Sequence, residues 1–383
     1  MAVAFVNGRV LTDAGVQEGL TVVTGGAHIA SVTQGRHSPG CAEQVDLGGN
    51  LLLPGFIDTQ VNGGAGTLFN DHPTVEGIEK IGRAHRQFGT TGFLPTLVSD
   101  DLDVVAAAIS AVQEAIAAGI PGVLGIHIEG PFLNEARRGI HDASKIRDLD
   151  EEAFRLLTTP SGGKTLVTLA PEKTTPQMVK RLVDAGVVVS AGHSNATYAQ
   201  VREALDSGLT GFTHLFNAMS QLTVREPGVV GAALEDENSW CSIIADGYHV
   251  DPVVLRLALR CKRTDRFILV TDAMPSVGAD SKSFSLFGRT ITARDGVCVD
   301  EDGTLAGSDI DIATAVRNTV RLLDVPLPEA VRLASLYPAQ FMGLAGEYGR
   351  IAAGYRANLL VVDDELNVVG TWIDGREVHV AYG

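Results

Sequence analysis

The sequence predicts an α/β protein whose main body is a (β/α)8 barrel of the TIM type, with a small satellite β domain formed from both chain ends. Two observations lead to this prediction. Between residues 51 and 350, eight short apolar runs alternate with helical segments, as expected for a barrel of parallel strands. Residues 1–50 and 351–383 instead alternate β-rich runs with turns, and neither stretch is large enough to form its own core. We therefore predict that the two ends pair into one domain.

The apolar runs between residues 51 and 350 are short and end in turn or polar residues, as buried parallel strands do. Helix starts between them are marked by capping side chains, and Pro follows two of these caps at the first helical position. A hairpin-like insert at 283–306 follows the last run. The eight strands are predicted at 51–58, 92–98, 122–129, 166–170, 187–193, 211–215, 242–246 and 267–272. The predicted helix starts are Thr175, Asn195 and Asp251, with an Ala-rich helix from Asp100 or Asp101 to about Ala118 and two helices near 309–323 and 328–344.

The composition is that of a packed globular enzyme, with 45% hydrophobic and 20% charged residues. A formal net charge of −16 argues against nucleic acid and anionic membrane as partners, but not against an anionic small molecule bound by a local Arg. We expect a cytoplasmic location, because the N-terminus lacks a signal-peptide core and no run of about 18 apolar residues occurs. The cysteines Cys41, Cys241, Cys261 and Cys298 show no C-x-x-C spacing and are expected to be reduced thiols.

Polar side chains follow most of the predicted strands at the point where each strand ends. In a (β/α)8 barrel these ends form one rim, where active sites lie. Residues far apart in the sequence should therefore meet in one cleft. A Glu, two His and an Asp among them are the side chains that a metal-assisted hydrolase uses. The rim residues are Gln60, Glu129, Glu172, His193, His214, Asp246 and Asp272.

Glu129 is the clearest of these rim residues. It ends the apolar run 123–128, and Gly130 and Pro131 stop the strand immediately after it. A carboxylate at the end of a buried strand suits a cation, which takes its oxygen directly. The alternative is a structural carboxylate with two satisfied core histidines, which requires three strand ends to coincide by chance.

Eight strings of the sequence, in order, resemble the N-acetylglucosamine-6-phosphate deacetylase family of the amidohydrolase superfamily. Each string alone is weak, whereas the ordered set is specific, and the terminal β segments resemble the satellite domain of that family. The resemblance implies hydrolysis of the N-acetyl group of N-acetyl-D-glucosamine 6-phosphate to D-glucosamine 6-phosphate and acetate, in amino-sugar catabolism. The strings are Pro54-Gly55-Phe56-Ile57-Asp58, His127-Ile128-Glu129-Gly130-Pro131-Phe132, Ala191-Gly192-His193-Ser194, Thr213-His214-Leu215-Phe216-Asn217-Ala218-Met219, Arg225-Glu226-Pro227-Gly228, Ala245-Asp246-Gly247-Tyr248-His249, Thr271-Asp272-Ala273 and Leu305-Ala306-Gly307-Ser308.

The resemblance further implies that Glu129, His193 and His214 hold one divalent metal per chain. Zinc is expected, with Fe²⁺, Co²⁺ or Mn²⁺ as alternatives. Asp272 would take a proton from the attacking water and return it to the sugar amine, although an Asp here could instead cap a helix. Many amidohydrolases carry His-x-His after strand one to hold a second metal. Here Gln60 and Asn62 stand at those positions, and because carboxamides are weak ligands we expect one metal, with Gln60 orienting the water.

The substrate contacts that the resemblance implies lie in four loops. Arg225, His249 and the backbone of Asn217 and Ala218 would bind the phosphate, and His141 the sugar or acyl oxygen. Alternatives are an ion pair of Arg225 with its neighbour Glu226, a solvated loop histidine at 141, and an ordinary turn at 305–307. The implied set is Ile140, His141, Asn217, Ala218, Arg225, Asp246, His249, Leu305, Ala306 and Gly307. His127, two residues before Glu129, shares its strand face and is expected to support the ligands from a deeper layer.

The resemblance also implies a homodimer in which Arg225 and His249 serve the neighbouring site. Two other functions stay open. One is deacetylation of a related sugar phosphate such as the galactosamine epimer, because no residue identifies the C4 hydroxyl. The other is a non-catalytic scaffold of this fold, which we disfavour because Glu129, His193, His214 and Asp272 are all present.

Overall fold

The computed structural model describes residues 2–35 and 43–380. Its largest sheet contains eight parallel strands in chain order, each bonded to the next, which confirms the predicted barrel class. We number these strands one to eight. Their bounds are Phe56–Val61, Thr90–Val98, Gly125–Glu129, Lys164–Leu169, Val188–Ala191, Gly211–Phe212, Trp240–Ile243 and Phe267–Leu269.

The barrel closes along a seam, which we define as residues 60–63, at and just past the end of strand one, and residues 272–273, after strand eight. Val61 and Ala273 form a parallel bridge. Around it, the Asp272 N–H donates to the Gln60 carbonyl at 3.0 Å and the Asn62 N–H to the Ala273 carbonyl at 2.9 Å. Below the seam, the fully buried Asp58 accepts a 2.5 Å bond from the Thr271 hydroxyl, and burial raises the pKa of Asp58 to about 7.

The helices pack around the barrel and begin mostly where capping residues predict. Asp101, Thr175 and Asp251 precede helices as expected, although Asp101 makes no side-chain bond to its helix. The predicted cap at Asn195 is wrong: Thr197 caps that helix, because Thr197 and Gln200 bond each other's backbone reciprocally. The α-helices are Val75–Arg86, Leu102–Ala117, Glu151–Leu157, Pro176–Asp184, Tyr198–Asp206, Gly228–Glu235, Pro252–Cys261, Ile312–Leu323, Leu327–Leu333 and Leu336–Phe341.

The last predicted helix, 328–344, is two helices, Leu327–Leu333 and Leu336–Phe341. Pro338 explains the break, since in one continuous helix its ring would clash with the carbonyl of Ala334 and it could not donate to that carbonyl. The freed Ala334 carbonyl instead accepts the Ile57 N–H at 2.7 Å, which attaches this region to strand one.

Both chain ends contribute to the satellite sheets. Phe5 and Trp372 meet edge to face in the core between them, with centroids 5.0 Å apart. The four-stranded sheet contains Ala2–Val6, Leu20–Gly25, His28–Gln34 and Glu43–Asp46, and the six-stranded sheet contains Arg9–Thr12, Gly15–Glu18, Leu51–Pro54, Leu359–Val362, Val368–Ile373 and Arg376–Val380.

The predicted strand 51–58 is wrong as one element. Leu51–Pro54 pairs with Leu359–Val362 in the six-stranded satellite sheet, while Phe56–Val61 is barrel strand one. The backbone changes sheet at Gly55, whose N–H bonds the Asn358 carbonyl, whereas the next N–H, of Phe56, bonds Gly89. A side chain at Gly55 would meet Thr91 at 2.1 Å, so the crossing needs glycine. The sheet change lies after the predicted domain boundary at residue 50.

The predicted insert forms a four-stranded antiparallel sheet of Ser283–Leu286, Arg289–Arg294, Val297–Val299 and Leu305–Ser308. Its last strand reaches the seam, where the Ser308 N–H donates to the Asp272 carbonyl at 2.9 Å and the Met274 N–H to the Ser308 carbonyl at 3.0 Å. A separate two-stranded ribbon, Gly63–Gly64 with Thr67–Leu68, directly follows strand one.

Two composition-based predictions can be compared with the described residues. Cys241, Cys261 and Cys298 are free thiols, whereas Cys41 lies outside the described residues. Among the helices of residues 2–35 and 43–380, none combines the length and the apolar character needed to cross a membrane.

Candidate active site

Three buried side chains from different strand ends meet at the rim of the barrel. The Nε2 atom of His214 lies 2.9 Å from Oε1 of Glu129, and the Nε2 atom of His193 lies 3.3 Å from the same oxygen. The two imidazole Nε2 atoms are 3.1 Å apart. One ligand atom from each residue therefore points at a common centre, all within 4.8 Å of one another.

The backbone turns sharply after three barrel strands, at two residues of this cluster and at Asp272. His193, His214 and Asp272 have φ angles of 48°, 35° and 53°, in the left-handed region that residues with a Cβ seldom adopt. Such conformations cost about 1–3 kcal/mol each and are kept where the surrounding structure holds them. All three border the same cavity. The strained backbone therefore turns these side chains from the barrel wall toward one point.

The hydrogen bond of the His193 ring favours binding a cation through Nε2. His193 Nδ1–H donates to the Arg137 carbonyl at 2.9 Å, which leaves the Nε2 lone pair facing Glu129. Nδ1 of His214 is buried and has no partner among the described residues. Burial by itself would raise the pKa of Glu129, but the contacts with the rings of His193 and His214 outweigh burial and hold that pKa well below its usual range.

This donor set fits a divalent cation of borderline softness. Two imidazoles and one carboxylate are the ligands of many catalytic zinc sites, which keep a further position open for water or substrate. The buried carboxylate also needs a positive partner, because an unpaired buried charge is costly. The residues therefore suit the metal that the sequence implies, without identifying the element.

Asp272 lies beside this centre and is held by two amides. Its Oδ1 accepts from Asn62 Nδ2 at 2.6 Å and from Gln60 Nε2 at 3.2 Å. Gln60 Nε2 also lies 3.1 Å from each oxygen of Glu129, so one amide bridges two carboxylates. Burial, and then the charge of Glu129, raise the pKa of Asp272 to about 6. A turn and not a helix follows Asp272, so it is not a helix cap.

An open cavity of about 310 Å³ extends from this centre and is large enough for a small sugar derivative. Seven of the ten residues predicted to contact substrate line it, and three do not. Those that line it are Ile140, His141, Asn217, Ala218, His249, Leu305 and Gly307. The other three are Ala306, which is fully buried in an apolar cluster below the insert sheet, Asp246 and Arg225.

Asp246 lies behind His249 and not in the cavity wall. Its Oδ2 accepts from His249 Nδ1–H at 2.6 Å, and its Oδ1 accepts the N–H groups of Tyr248 and His249 at 2.9 Å each. Burial would raise the pKa of Asp246, but the hydrogen bond and charge of His249, together with the N–H groups of Tyr248 and His249, outweigh burial and lower that pKa. Asp246 therefore acts through His249, whose other ring nitrogen is left for the cavity.

His141 is not a solvated loop histidine, since only 4% of it is exposed. Its Nδ1 accepts the Ser99 N–H at 3.3 Å and lies 2.7 Å from the Ser99 hydroxyl. Burial, and then the proximity of His193, lower the pKa of His141 to about 3, so the ring is neutral. With Nδ1 used as an acceptor, Nε2 carries the proton and provides a donor in the cavity wall.

Arg225 is exposed on the loop 221–227 and does not line the cavity of its own chain. The alternative ion pair with Glu226 does not occur among the described residues, because Glu226 accepts the N–H groups of Tyr198 at 2.8 Å and Gly228 at 3.0 Å. Val224, next to Arg225, is fully exposed and Leu222 is 58% exposed. An apolar loop tip thus carries an Arg away from the body of the chain.

Two further predicted residues support the site indirectly. His127 lies one layer below Glu129, but its ring bonds Thr168 at 2.8 Å and Thr96 at 3.3 Å and not the ligand side chains. Glu172 accepts from the Ser194 hydroxyl at 2.7 Å and from the Asn195 N–H at 2.6 Å, so it holds the loop after His193. Neither residue belongs to the cavity lining.

The structure adds residues that the pattern of strand ends does not reveal. Arg137 lines the cavity and orients His193 through its carbonyl, and Ser99 fixes the tautomer of His141. Backbone carbonyls carry no residue-specific signal in a sequence. The adjacent arginines Arg137 and Arg138, near Ile140, are the one local sign that this loop could belong to the site. Asn62 was visible as a departure from His-x-His, but its bond to Asp272 was not.

Comparison with known proteins gives consistent matches over most of the chain. Residues 51–378 match the Amidohydrolase family. An N-acetylgalactosamine-6-phosphate deacetylase of Shewanella sp. is 45% identical over 335 residues, 88% of this chain and 85% of the relative. An N-acetylglucosamine-6-phosphate deacetylase of Haemophilus influenzae is 35% identical over 379 residues, 98% and 99% of the two chains. The crystal structure of the N-acetylglucosamine-6-phosphate deacetylase of Pasteurella multocida superimposes with a TM-score of 0.95 at 36% identity, covering 98% of this chain and 99% of the other.

The convergence of three ligand atoms predicts the effect of removing one of them. Glu129→Ala or His193→Ala should leave a folded barrel without bound metal after dialysis, because two ligands cannot hold a cation as three do. Elemental analysis measures the metal and circular dichroism the fold. His249→Ala is the matched control, since it removes a cavity histidine outside the cluster and should keep its metal. Wild-type metal content in either ligand variant would contradict the cluster as the metal site.

Proposed function

This chain belongs to the amidohydrolase family, and from that premise we propose that it hydrolyses the N-acetyl group of N-acetyl-D-glucosamine 6-phosphate to D-glucosamine 6-phosphate and acetate. The observation that carries the proposal is the cluster of Glu129, His193 and His214 beside Asp272, at one end of a cavity that also contains His249. The cluster suits chemistry on an amide. The histidine, oriented by a buried carboxylate, suits an anionic group at the other end of the same small molecule.

One divalent ion per chain, with zinc expected, would be held by Oε1 of Glu129 and the Nε2 atoms of His193 and His214. When bound, such an ion polarises a carbonyl and lowers the pKa of water. A single ion is favoured because Gln60 and Asn62 direct N–H groups, not lone pairs, at Asp272 and Glu129. N–H groups in that place partly neutralise the carboxylates and cannot themselves ligate a second cation.

Asp272 moves the proton in the proposed reaction. As water attacks the acetyl carbonyl, Asp272 takes its proton, and as the C–N bond breaks it gives a proton to the leaving sugar amine. A pKa near 6 suits both roles, because the group is ionised at neutral pH yet remains a usable acid. Gln60, between Glu129 and Asp272, is placed to orient the water.

The remaining cavity residues would hold the sugar. His141 Nε2–H is a neutral donor for a sugar or acyl oxygen, and Ile140 lies next to it. Leu305 and Gly307 would close over the acyl end, with their strand bonded to the backbone of Asp272 through Ser308. His249, aligned by Asp246, and the backbone of Asn217 and Ala218 would bind the phosphate.

Arg225 would complete the phosphate site of a second copy of this chain in a homodimer. The loop tip that carries it is apolar and exposed, and so is the helix Pro252–Cys261, where Val253 and Leu257 are 52% and 54% exposed. That helix lies against the end of the helix Ile312–Leu323, since Arg256 bonds the Leu322 carbonyl. Large exposed apolar patches on one side of a molecule are typical of subunit interfaces.

A second candidate substrate is N-acetylgalactosamine 6-phosphate. It is favoured by the relative that is 45% identical to this chain, which is more than the 35% of the Haemophilus influenzae relative. The two sugars differ only at C4, and the residues described above would contact the acyl and phosphate ends of the proposed substrate. For either sugar we place the enzyme in the cytoplasm, where free thiols such as the buried Cys241 and Cys298 persist and phosphorylated sugars are retained.

A rate panel tests the proposed substrate. We expect acetate release from N-acetylglucosamine 6-phosphate, with kcat/KM roughly 10²-fold or more above that for unphosphorylated N-acetylglucosamine, since two lost charge-assisted contacts cost that much. The galactosamine epimer should be slower. A faster galactosamine epimer would establish the second candidate, and no acetate from either sugar phosphate by a metal-loaded protein would reject the proposal in favour of a scaffold.

Replacing Asp272 tests the proton transfer. Asp272→Asn keeps the shape but cannot accept a proton, so kcat should fall by about 10²–10⁴-fold while the metal stays bound. In the wild type, activity should fall as the pH drops and the carboxyl becomes protonated. The midpoint should lie no higher than the pKa of about 6, because a nearby cation can only lower it. If the kcat of Asp272→Asn lies within tenfold of the wild-type kcat, Asp272 does not transfer the proton.

Mixing two variants tests the role of Arg225 across the interface. Arg225→Ala should lose about 1.5–3 kcal/mol of binding to the phosphorylated substrate and almost none with the unphosphorylated sugar. When Arg225→Ala and Asp272→Asn chains are unfolded and refolded together, half of the dimers are mixed and one of their two sites has both residues intact. About one quarter of the wild-type activity should return, as expected for random pairing of two-fold dimers. If the refolded mixture is no more active than the two variants refolded separately, Arg225 either acts in the site of its own chain or takes no part in the site.

A further inference from the structure

Two amides contact Asp272, and only one of them is dedicated to it. Gln60 Nε2 divides its N–H groups between Asp272 and both oxygens of Glu129. Asn62 Nδ2 bonds Asp272 Oδ1 alone, at 2.6 Å, the shorter of the two contacts. Charge-assisted bonds of this length are among the stronger ones in proteins. The distances therefore make Asn62 the main partner of this carboxylate.

The orientation of the Asn62 amide is dictated by its surroundings. Its Oδ1 is buried and lacks a partner among the described residues, while its Nδ2 faces a carboxylate oxygen. A flipped amide would bring its oxygen to within 2.6 Å of Oδ1 of Asp272, which is strongly repulsive. The site thus accepts one unsatisfied amide oxygen to keep an N–H donor on Asp272, an arrangement that stability alone would not favour.

The backbone at the seam holds Asn62 and Asp272 in register. The Asn62 and Gly63 N–H groups both donate to the Ala273 carbonyl, at 2.9 and 3.0 Å, and the Asp272 N–H donates to Gln60. Gly63 is fixed in turn by the buried His85, whose Nε2–H donates to its carbonyl at 2.9 Å. The side-chain bond therefore spans the line where strands one and eight close the barrel.

All described side-chain donors to Asp272 reach Oδ1, and Asp272 lines the cavity. With Oδ1 fixed by two N–H groups, Oδ2 is the oxygen left to exchange a proton. We propose that Asn62 is a positioning residue that orients the Asp272 carboxylate, so that Oδ2 faces the reacting amide and Oδ1 does not. The proposal rests on the assigned role of Asp272 in proton transfer and adds a residue and an atom to it.

Three variants at one position test the proposal. Asn62→Leu keeps the volume without a donor, Asn62→Ala removes both, and Asn62→Asp keeps the shape but faces Asp272 with a second carboxylate. We expect kcat to fall about 10- to 100-fold in Asn62→Leu and Asn62→Ala alike, the worth of one charge-assisted bond, with KM nearly unchanged and metal retained. Asn62→Asp should be the least active. A packing role predicts the reverse, with Asn62→Leu and Asn62→Asp close to wild type.

Two controls keep the result interpretable. Asn358→Ala removes another buried amide, which accepts the Asp374 N–H at 2.8 Å in the satellite sheets, and should lower thermal stability without lowering kcat. A crystal structure of Asn62→Leu should show the Asp272 carboxylate rotated from its wild-type orientation, a result that does not depend on the substrate. An unrotated carboxylate, or a kcat within threefold of wild type, would overturn the proposal. Rotation in a protein that is inactive on both sugar phosphates would instead reject the proposed function alone.

Discussion

Two carboxylates, Glu129 and Asp272, are enclosed side by side at the mouth of the barrel, and the surrounding structure compensates for their mutual repulsion. The repulsion is visible in the raised pKa of Asp272, to which the charge of Glu129 contributes after burial. Gln60 lies between them and donates to both, and two imidazoles contact Glu129 from the other side. A cation at the cluster would add the positive charge that these neutral groups lack. The site is thus built to keep one carboxylate ionised and the other close to protonation.

The segments that surround this pair are joined to it through the backbone. The Arg137 carbonyl receives His193 Nδ1–H, and the Asn134 N–H donates to the His193 carbonyl at 2.9 Å, so the loop that carries His141 is bound to a ligand. On the opposite side, Ser308 links the insert sheet to the backbone of Asp272. Residues that would touch the substrate are therefore attached to residues that would act on it. One or two hydrogen bonds therefore connect the loop of His141 to His193, and the insert sheet to Asp272.

The sequence predicts the fold and the meeting of Glu129, His193 and His214 for a single physical reason. Parallel strands in a barrel share one rim, so the residues at or just past the end of each strand are placed by topology, without knowledge of side-chain contacts. Gly55 shows where this reasoning is incomplete. The Pro54-Gly55 pair interrupts the run 51–58 as a turn signal, but the pattern of strand ends does not reveal that the two halves join different sheets. Asn195 and Thr197 are both good caps, and only the reciprocal bond with Gln200 decides between them. The exposure of Arg225 depends on the conformation of a surface loop, and the contact of the Arg137 carbonyl with His193 depends on the conformation of another loop. Sequence periodicity predicts neither conformation.

The interleaving of the two chain ends in the six-stranded sheet has a consequence for biosynthesis. Leu51–Pro54 pairs with Leu359–Val362, which leaves the ribosome about 300 residues later, roughly 15–60 s at ordinary rates of translation. During that interval an apolar strand has an open edge, and open apolar edges are where nascent chains pair wrongly with one another. Barrel strand one begins two residues after this strand, at Phe56, so the nascent barrel emerges still attached to an incomplete sheet. Cotranslational folding of this protein is therefore limited by its last strands, and chaperones that shield extended apolar segments would act chiefly on its first sixty residues.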